Sequence, residues 1–342
     1  MDIKQKLVTS VSGILILSVE CFSQNRDNMQ TGRQDSLNMS KRVETYAADK
    51  FAVTRPLNVE FIYTTPYKFT SEQLGKALPE SKVTGFTQLK LSANYNFIKM
   101  KSWMLGASAG YRRTAIEADI TPLAGSIKNL NDEFHYIYSS VNFTYFSKLF
   151  NKRTIYTSSL VVDGSERYLE RVKGLLTASM ILKADQRTRL IVGMLVNIDP
   201  SAQAPVMPTI AYEHKFSNGF TADVAFPRYL YLRKLLHTNG RLSFGTEIDR
   251  TSFYLYNSDS TSQNQRYEYR QMDLNSGFLY EHILTKYLLL TVKTGMKMTP
   301  SGRVFRKEDS FGDFVYKNTP DPAFYFNIGI SFNPFTLLGA KQ

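Results

Sequence analysis

The stretch Val83–Phe97, with the sequence VTGFTQLKLSANYNF, decides the fold. Apolar residues such as Leu89 and Leu91 occupy its odd positions, while polar residues such as Lys90 and Asn94 occupy its even positions. Successive side chains of a β-strand point to opposite faces of the sheet. A period of two therefore predicts a long strand with one apolar and one polar face.

The same alternation recurs along the rest of the chain. It is clearest in the final predicted strand, Phe324–Phe332 (FYFNIGISF), and it also marks residues 209–216 and 241–249. From about residue 55 onward no stretch has a convincing helical period, so the sequence predicts an all-β fold.

The predicted strands are joined by connections that alternate in length. Long polar connections are expected at 64–82, 113–132, 163–168, 198–207, 257–265 and 299–322, with short turns between them. This arrangement is typical of an up-and-down antiparallel β-barrel whose two rims lie in different compartments. A further short reversal at Pro227 gives 14 strands, because proline cannot lie in a central strand, whereas a bulge there gives 12.

The composition is compatible with a barrel that crosses a membrane. The 342 residues are 43% hydrophobic, with a mean hydropathy of −0.27. No apolar run is long enough for a transmembrane helix, but transmembrane strands carry apolar residues only at alternate positions. The many Tyr and Phe residues cluster beside the short turns, as in the aromatic girdle of a membrane barrel. A soluble sandwich is the less favoured alternative.

The N-terminus has the pattern of a cleaved secretory signal over residues 1–23. Lys4 and Lys6 precede the apolar run Leu7–Val19, and cleavage after Ser23 would remove Cys21, the only cysteine. A lipoprotein signal is the lower-ranked alternative. Residues 24–54 are expected to be a flexible periplasmic lead-in with a short helix near 41–50, or a segment that folds back as a plug. The barrel is predicted over 55–335, with a C-terminal tail at 336–342.

The polar strand faces are predicted to line the lumen. Their charges have both signs, so the sequence is compatible with a polar pore and equally with a lumen closed by ion pairs. Hydrophobic cargo is a third reading, because Met104 and Leu175 fall on the same face. The predicted lumen-lining residues are Lys90, Lys173, Arg189, Asp223, Arg241, Glu247, Asp249, Asp273 and Lys293.

No catalytic or metal-binding pattern stands out. His135, His214 and His282 fall on the apolar face, His237 lies in a short turn, and none has a serine two residues away on the same strand face. No metal-ligand spacing or phosphate loop is found, so no cofactor, no metal and no enzymatic activity are expected. The formal net charge of +12 is assigned to loops, rims and lumen rather than to nucleic acid.

The signal sequence, the alternating strands and the final strand together resemble the outer-membrane β-barrels of Gram-negative bacteria, in particular uncharacterised barrels of Bacteroidota. The resemblance covers about residues 55–335. It implies location in the outer membrane and recognition by the barrel assembly machinery through Phe332 or Phe335. Basic residues near the long connections, such as Arg112 and Arg303, would meet outer-membrane lipid and lipopolysaccharide. The expected function is a passive pore or structural barrel. Hydrophobic-solute transport or surface interaction through the long loops is the alternative, and an outer-membrane enzyme comes third.

Overall fold

The computed structural model describes residues 31–335, with gaps at 124–125, 200, 203, 238 and 257–265. The predicted signal, the tail at 336–342 and the connection at 257–265 lie outside the described residues. The chain is compact from Ser36 onward. No helix in the described ranges has the length and apolar content needed to cross a membrane.

The described chain contains one α-helix, a 3₁₀ turn and 16 antiparallel strands. The helix is α1 (Thr31–Lys50), and the 3₁₀ turn is Ala52–Thr54. The strands are β1 (Leu57–Thr64), β2 (Tyr67–Gln73), β3 (Lys76–Lys99), β4 (Trp103–Ile120), β5 (Lys128–Leu149), β6 (Lys152–Gly164), β7 (Leu169–Ala184), β8 (Thr188–Ile198), β9 (Val206–Lys215), β10 (Phe220–Phe226), β11 (Tyr229–Leu236), β12 (Gly240–Tyr256), β13 (Arg266–Ile283), β14 (Leu288–Arg306), β15 (Phe314–Pro320) and β16 (Ala323–Phe332).

The sheet closes on itself as a transmembrane-type barrel of 14 strands. The first strand, β1, pairs with both β3 and β16, which closes a ring through 14 strands. The short strands β2 and β15 continue β1 and β16 beyond interruptions at Pro66 and Pro322, and they pair with each other. The predicted all-β barrel and its 14 strands are therefore confirmed. Pro227 and Arg228 join β10 to β11, as the short reversal requires.

Alternation along each strand separates two faces. In β1 the buried residues Asn58, Glu60 and Thr64 point inward, whereas Leu57 and Phe61 are exposed on the outside. The final strand β16 shows the same strict pattern, because its exposed Phe and Ile residues alternate with a buried set. A closed sheet satisfies its backbone internally, so an apolar outer face suits contact with lipid.

The outer face of β5 shows where this apolar band begins and ends. From Ile137 to Tyr145 the outward residues are mainly apolar, and near the short turns Trp103 packs on Phe143 with ring centroids 5.8 Å apart. Beyond the other end of the band, Arg113 and Glu133 form an exposed ion pair. The hydrogen bond from Arg113 lowers the pKa of Glu133, which favours the ionised carboxylate, and this exposed ionised pair marks the end of the apolar band.

The long connections predicted at 64–82 and 299–322 are largely strands, which corrects the sequence interpretation. The turn between β2 and β3 contains only Leu74 and Gly75, both with positive φ, and β14 extends to Arg306. Outside a membrane both faces of a strand can be polar. A strand segment outside the membrane then lacks the alternation of apolar and polar residues that identifies a strand in lipid, and its sequence resembles that of a loop.

The lead-in forms a longer helix than the one expected near 41–50, and its burial corresponds to the alternative of a segment that folds back as a plug. It forms α1 from Thr31, and the side chains described from Met39 onward include the fully buried Ser40 and Ala48. The sequence of α1 has no amphipathic pattern, because the partners of this helix are charged groups of the barrel wall rather than an apolar surface.

Candidate functional site: a closed luminal chamber

Residues 39–55, here called the plug, occupy the lumen near the short-turn rim. Lys50 at the end of α1 lies 2.6 Å from a carboxylate oxygen of Glu213 and 2.7 Å from one of Asp223. The neighbouring Asp49 pairs with Arg241 of β12 at 2.9 Å. The last two residues of the helix therefore form ion pairs with β9, β10 and β12.

Arg55 forms the innermost anchor of the plug. Its side chain is 1% exposed, and Nε donates to the carbonyl of Ala48 at 3.0 Å. Nη2 donates to Oε1 of Glu281 at 2.6 Å, and Nη1 donates to Oγ of Ser331 at 3.0 Å. One guanidinium thus ties the helix end to β13 and to β16. Such a buried charge is stable only when it is paired and hydrogen-bonded, and these contacts provide both.

The lumen is narrowed at its other end by residues 249–256 of β12 and 266–272 of β13, here called the arm. Its residues are partly to fully buried, except for the exposed Arg250. Gln88 of β3 donates to Thr251 at 3.1 Å, and Phe134 of β5 stacks on Phe253 at 4.1 Å. The arm therefore crosses the lumen and contacts the opposite wall.

The opposite face of the arm is held by a charged network. Asp163 of β6 is fully buried and accepts hydrogen bonds from Tyr136 at 2.6 Å, Tyr254 at 2.9 Å and Lys173 at 2.5 Å. Around it, two arginines and two acids from β7, β13 and the β8–β9 connection are interlinked, with separations of 3.0–3.2 Å at three of their contacts. These four residues are Arg171, Asp199, Glu268 and Arg270.

A notch interrupts the barrel wall beside the arm. Strands β10 and β11 contain only 7 and 8 residues, whereas β12 contains 17. The pairing of β11 with β12 ends at Tyr229 and Glu247, followed by one hydrogen bond from Ile248 N to Arg228 O at 2.8 Å. Residues 206–209 of β9 and 249–256 of β12 therefore face the notch without a strand between them.

The plug and the arm enclose a chamber of about 380 Å³ that reaches the notch. Its lining joins plug residues such as Phe51 to wall residues such as Glu60 and Tyr325, and it includes Arg228 and Arg250 at the notch. This volume is within the range of small-molecule sites, and the lining combines charged groups and several tyrosines with apolar surface.

A row of three glycines crosses the wall of this chamber. Gly245 pairs with Gly277, and Gly277 pairs with Gly295, so the three lie side by side on β12, β13 and β14. A Cβ at Gly277 would lie 2.1 Å from the carbonyl oxygen of Thr294. Only glycine fits in this row, which continues at either end into Tyr231 and Tyr325.

All nine predicted lumen-lining residues have an ion-pair partner. They are grouped into pairs around the lumen rather than into one catalytic constellation. The pairs are Lys90 with Asp249, Lys173 with Asp163, Arg189 with Glu213 (3.8 Å), Asp223 with Lys50 (2.7 Å), Arg241 with Glu281 (2.6 Å), Glu247 with Lys293 (2.7 Å) and Asp273 with Lys297 (3.2 Å).

Several residues that organise the chamber were not singled out by sequence. Asp49 lies in the lead-in and Arg55 directly follows it, before the first strand, so no strand period marks a face at either residue. Asp163 was placed in a long connection but ends β6. Glu281 lies on β13, and its central role becomes visible only because Arg55 and Arg241 both reach it.

The histidines lie among aromatic neighbours. His135 is hydrogen-bonded to Tyr111 at 2.8 Å, and His214 to Thr188 at 2.9 Å. His282 is hydrogen-bonded to Tyr280 at 3.0 Å. Within the described ranges no group of three or more His, Cys, Asp or Glu side chains is arranged to hold a metal ion.

Comparison with known proteins gives similarity at the level of fold. No protein-family model and no curated protein matches the chain. Among solved structures, an outer-membrane channel from Pseudomonas putida F1 is 13% identical, with 81% of this chain and 95% of that chain covered and a TM-score of 0.32. The outer-membrane protease OmpT of Escherichia coli is 10% identical (81% and 96% covered, TM-score 0.28), and its outer-membrane phospholipase A is 9% identical (80% and 93%, TM-score 0.29). The likeness concerns the barrel fold and bears on no activity.

Proposed function

We propose that this chain is an outer-membrane barrel that passes a solute only when its own N-terminal plug moves. The observation that supports the proposal is the plug itself, which places residues 39–55 inside the lumen and anchors them by ion pairs. A passive, permanently open pore would need a lumen free of such a segment. A gated conduit keeps the pore interpretation and explains why the lumen is charged.

The ionic character of the plug contacts favours gating over a purely structural role. Lys50 and Asp49 use charged groups, whereas the helix buries few apolar residues. Ion pairs exchange readily for hydration when water enters, while apolar packing does not. The contacts hold the plug in place and still permit its release into an aqueous lumen.

The experiment is single-channel recording in a planar bilayer with the exported chain and the variant Lys50→Glu. Reversing this charge places three carboxylates together, because Asp223 and Glu213 lie within 2.7 Å of the lysine. We expect brief, rare openings in the unsubstituted protein and a large increase in open time in the variant.

The matched control is Lys183→Glu, because Lys183 forms an exposed ion pair with Asp185 near a short turn. It should leave the conductance unchanged. A correctly folded Lys50→Glu protein that stays as silent as the unsubstituted protein would contradict the gated conduit and favour a structural barrel.

A further inference from the structure

The floor of the notch lies below the level at which the apolar layer of the membrane ends. A strand of the 8 residues in β11 rises ~26 Å along its axis, and tilt in a barrel reduces this height to ~20 Å. The apolar band of an outer-membrane barrel is ~25 Å tall and needs about 9–11 residues per strand. The floor of the notch at Pro227–Arg228 therefore lies within the outer-leaflet side of the membrane, near its lipid headgroups.

Three arginines meet at this level. Arg112 on β4, Arg228 in the β10–β11 turn and Arg250 on β12 all line the chamber where it reaches the notch. Arg112 donates to the carbonyl of Arg250, and it lies 3.6 Å from Asp249, a carboxylate already paired with Lys90. Neither Arg228 nor Arg250 forms an ion pair with any residue that the structure describes, and both are exposed. The notch therefore carries excess positive charge.

The outer surface around these arginines is apolar. Phe226 and Leu230, at the ends of β10 and β11, are 51% and 60% exposed, and Phe244 on β12 is 57% exposed. Arg250 follows Ile248 on the outward face of β12, so positive charge begins where the apolar surface ends. This is the charge profile of an anionic lipid, which has a charged head above apolar chains.

We propose that the notch binds a membrane lipid through its phosphate group, with Arg228 and Arg250 as the principal ligands. The acyl chains would lie on the outer face beside Phe226 and Leu230, while the polar headgroup would reach into the chamber. Arginine suits this task because its guanidinium matches two phosphate oxygens at once and is always charged. Tyr138, which also lines the chamber, supplies a hydroxyl for the headgroup.

The charged groups of the chamber lining select this orientation. A hydrocarbon chain in the chamber would strip water from Lys90, Glu247 and their partners, which is costly, whereas a headgroup would replace that water with hydrogen bonds. The inference rests on a membrane-spanning barrel, and it does not depend on movement of the plug.

The test is native mass spectrometry of the full exported chain, folded in an uncharged detergent and titrated with dioctanoyl phosphatidic acid. Dioctanoylglycerol, which has the same chains without phosphate, and inorganic phosphate are titrated in parallel. We expect binding of the phosphatidic acid only. The double variant Arg228→Ala/Arg250→Ala should weaken it by roughly tenfold or more for each arginine, as loss of a charge-assisted contact predicts.

The control variant is Arg113→Ala, which removes one positive charge from an exposed pair outside the notch. It should retain the affinity of the unsubstituted protein. Equal binding of dioctanoylglycerol, displacement of the lipid by equimolar inorganic phosphate, or equal loss in Arg113→Ala would each overturn the proposal. Thermal unfolding followed by circular dichroism verifies that each variant is folded. A silent channel in the conductance experiment would leave this result unaffected.

Discussion

Replacement of Arg55 by Met tests the anchor of the plug. The substitution keeps most of the side-chain length but removes hydrogen bonds to Ala48, Glu281 and Ser331. Breaking a buried ion pair costs about 3–5 kcal/mol, and a hydrogen bond to a charged group contributes about 1.5–3 kcal/mol. Glu281 keeps a second cation, because Nη2 of Arg241 lies 2.6 Å from its Oε2. We therefore expect the lower end of that range, about 3 kcal/mol.

A loss of about 3 kcal/mol would shift the balance between plugged and open states by roughly a hundredfold, since each 1.4 kcal/mol is a factor of ten. Single-channel recording should show this shift as a matching rise in open probability of Arg55→Met. Urea unfolding of the same sample in lipid vesicles separates a local from a global effect. If stability falls by the expected amount and open probability stays unchanged, then Arg55 holds the barrel together and does not gate it.

Two further substitutions test the wall and the arm. Gly277→Ala should destabilise the barrel by about 1–3 kcal/mol in urea unfolding, because its new Cβ would lie 2.1 Å from the backbone oxygen of Thr294. The control Gly312→Ala, whose nearest new contact is 3.5 Å away, should have no measurable effect. Equal stabilities of the two variants would refute the crowding argument. Asp163→Asn should destabilise the protein by about 2–3 kcal/mol, because it removes the charge that Lys173, Tyr136 and Tyr254 share. The control Glu80→Gln breaks an exposed pair with Lys68 and should cost under about 1 kcal/mol. Similar losses in the two variants would show that the network around Asp163 does not hold the arm in place.

The sequence predicts those parts of the fold that lipid constrains. In β1 and β16 every outward residue must be apolar and every inward residue can be polar, so the alternation is strict and readable. Proline has no N–H to donate within a sheet, so Pro227 allowed either a reversal, which gives 14 strands, or a bulge, which gives 12. The structure has the reversal, and with it a ring of 14 strands.

The contacts that fix the plug and the arm could not be predicted, because the residues that form them are distant in sequence. Arg55 and Glu281 are separated by 226 residues, and Lys50 and Asp223 by 173. A local pattern records which residue types avoid lipid, and it does not record which charge will meet which. The arm is harder still, since Phe253 and Tyr254, on opposite faces of β12, are both buried, and the segment lacks the apolar–polar alternation that marks a wall strand.

The short β10–β11 hairpin has a consequence for the edge of β12. Beyond Ile248 this strand has no neighbour on one side, so its backbone N–H and C=O groups on that side would be stranded if they faced hydrocarbon. The arm turns that edge toward the protein interior, where Arg112 already satisfies the carbonyl of Arg250. The length of the β10–β11 hairpin thus determines whether the end of β12 belongs to the barrel wall or to the arm. Extending β10 and β11 would supply the missing neighbour and allow β12 to continue straight in the wall.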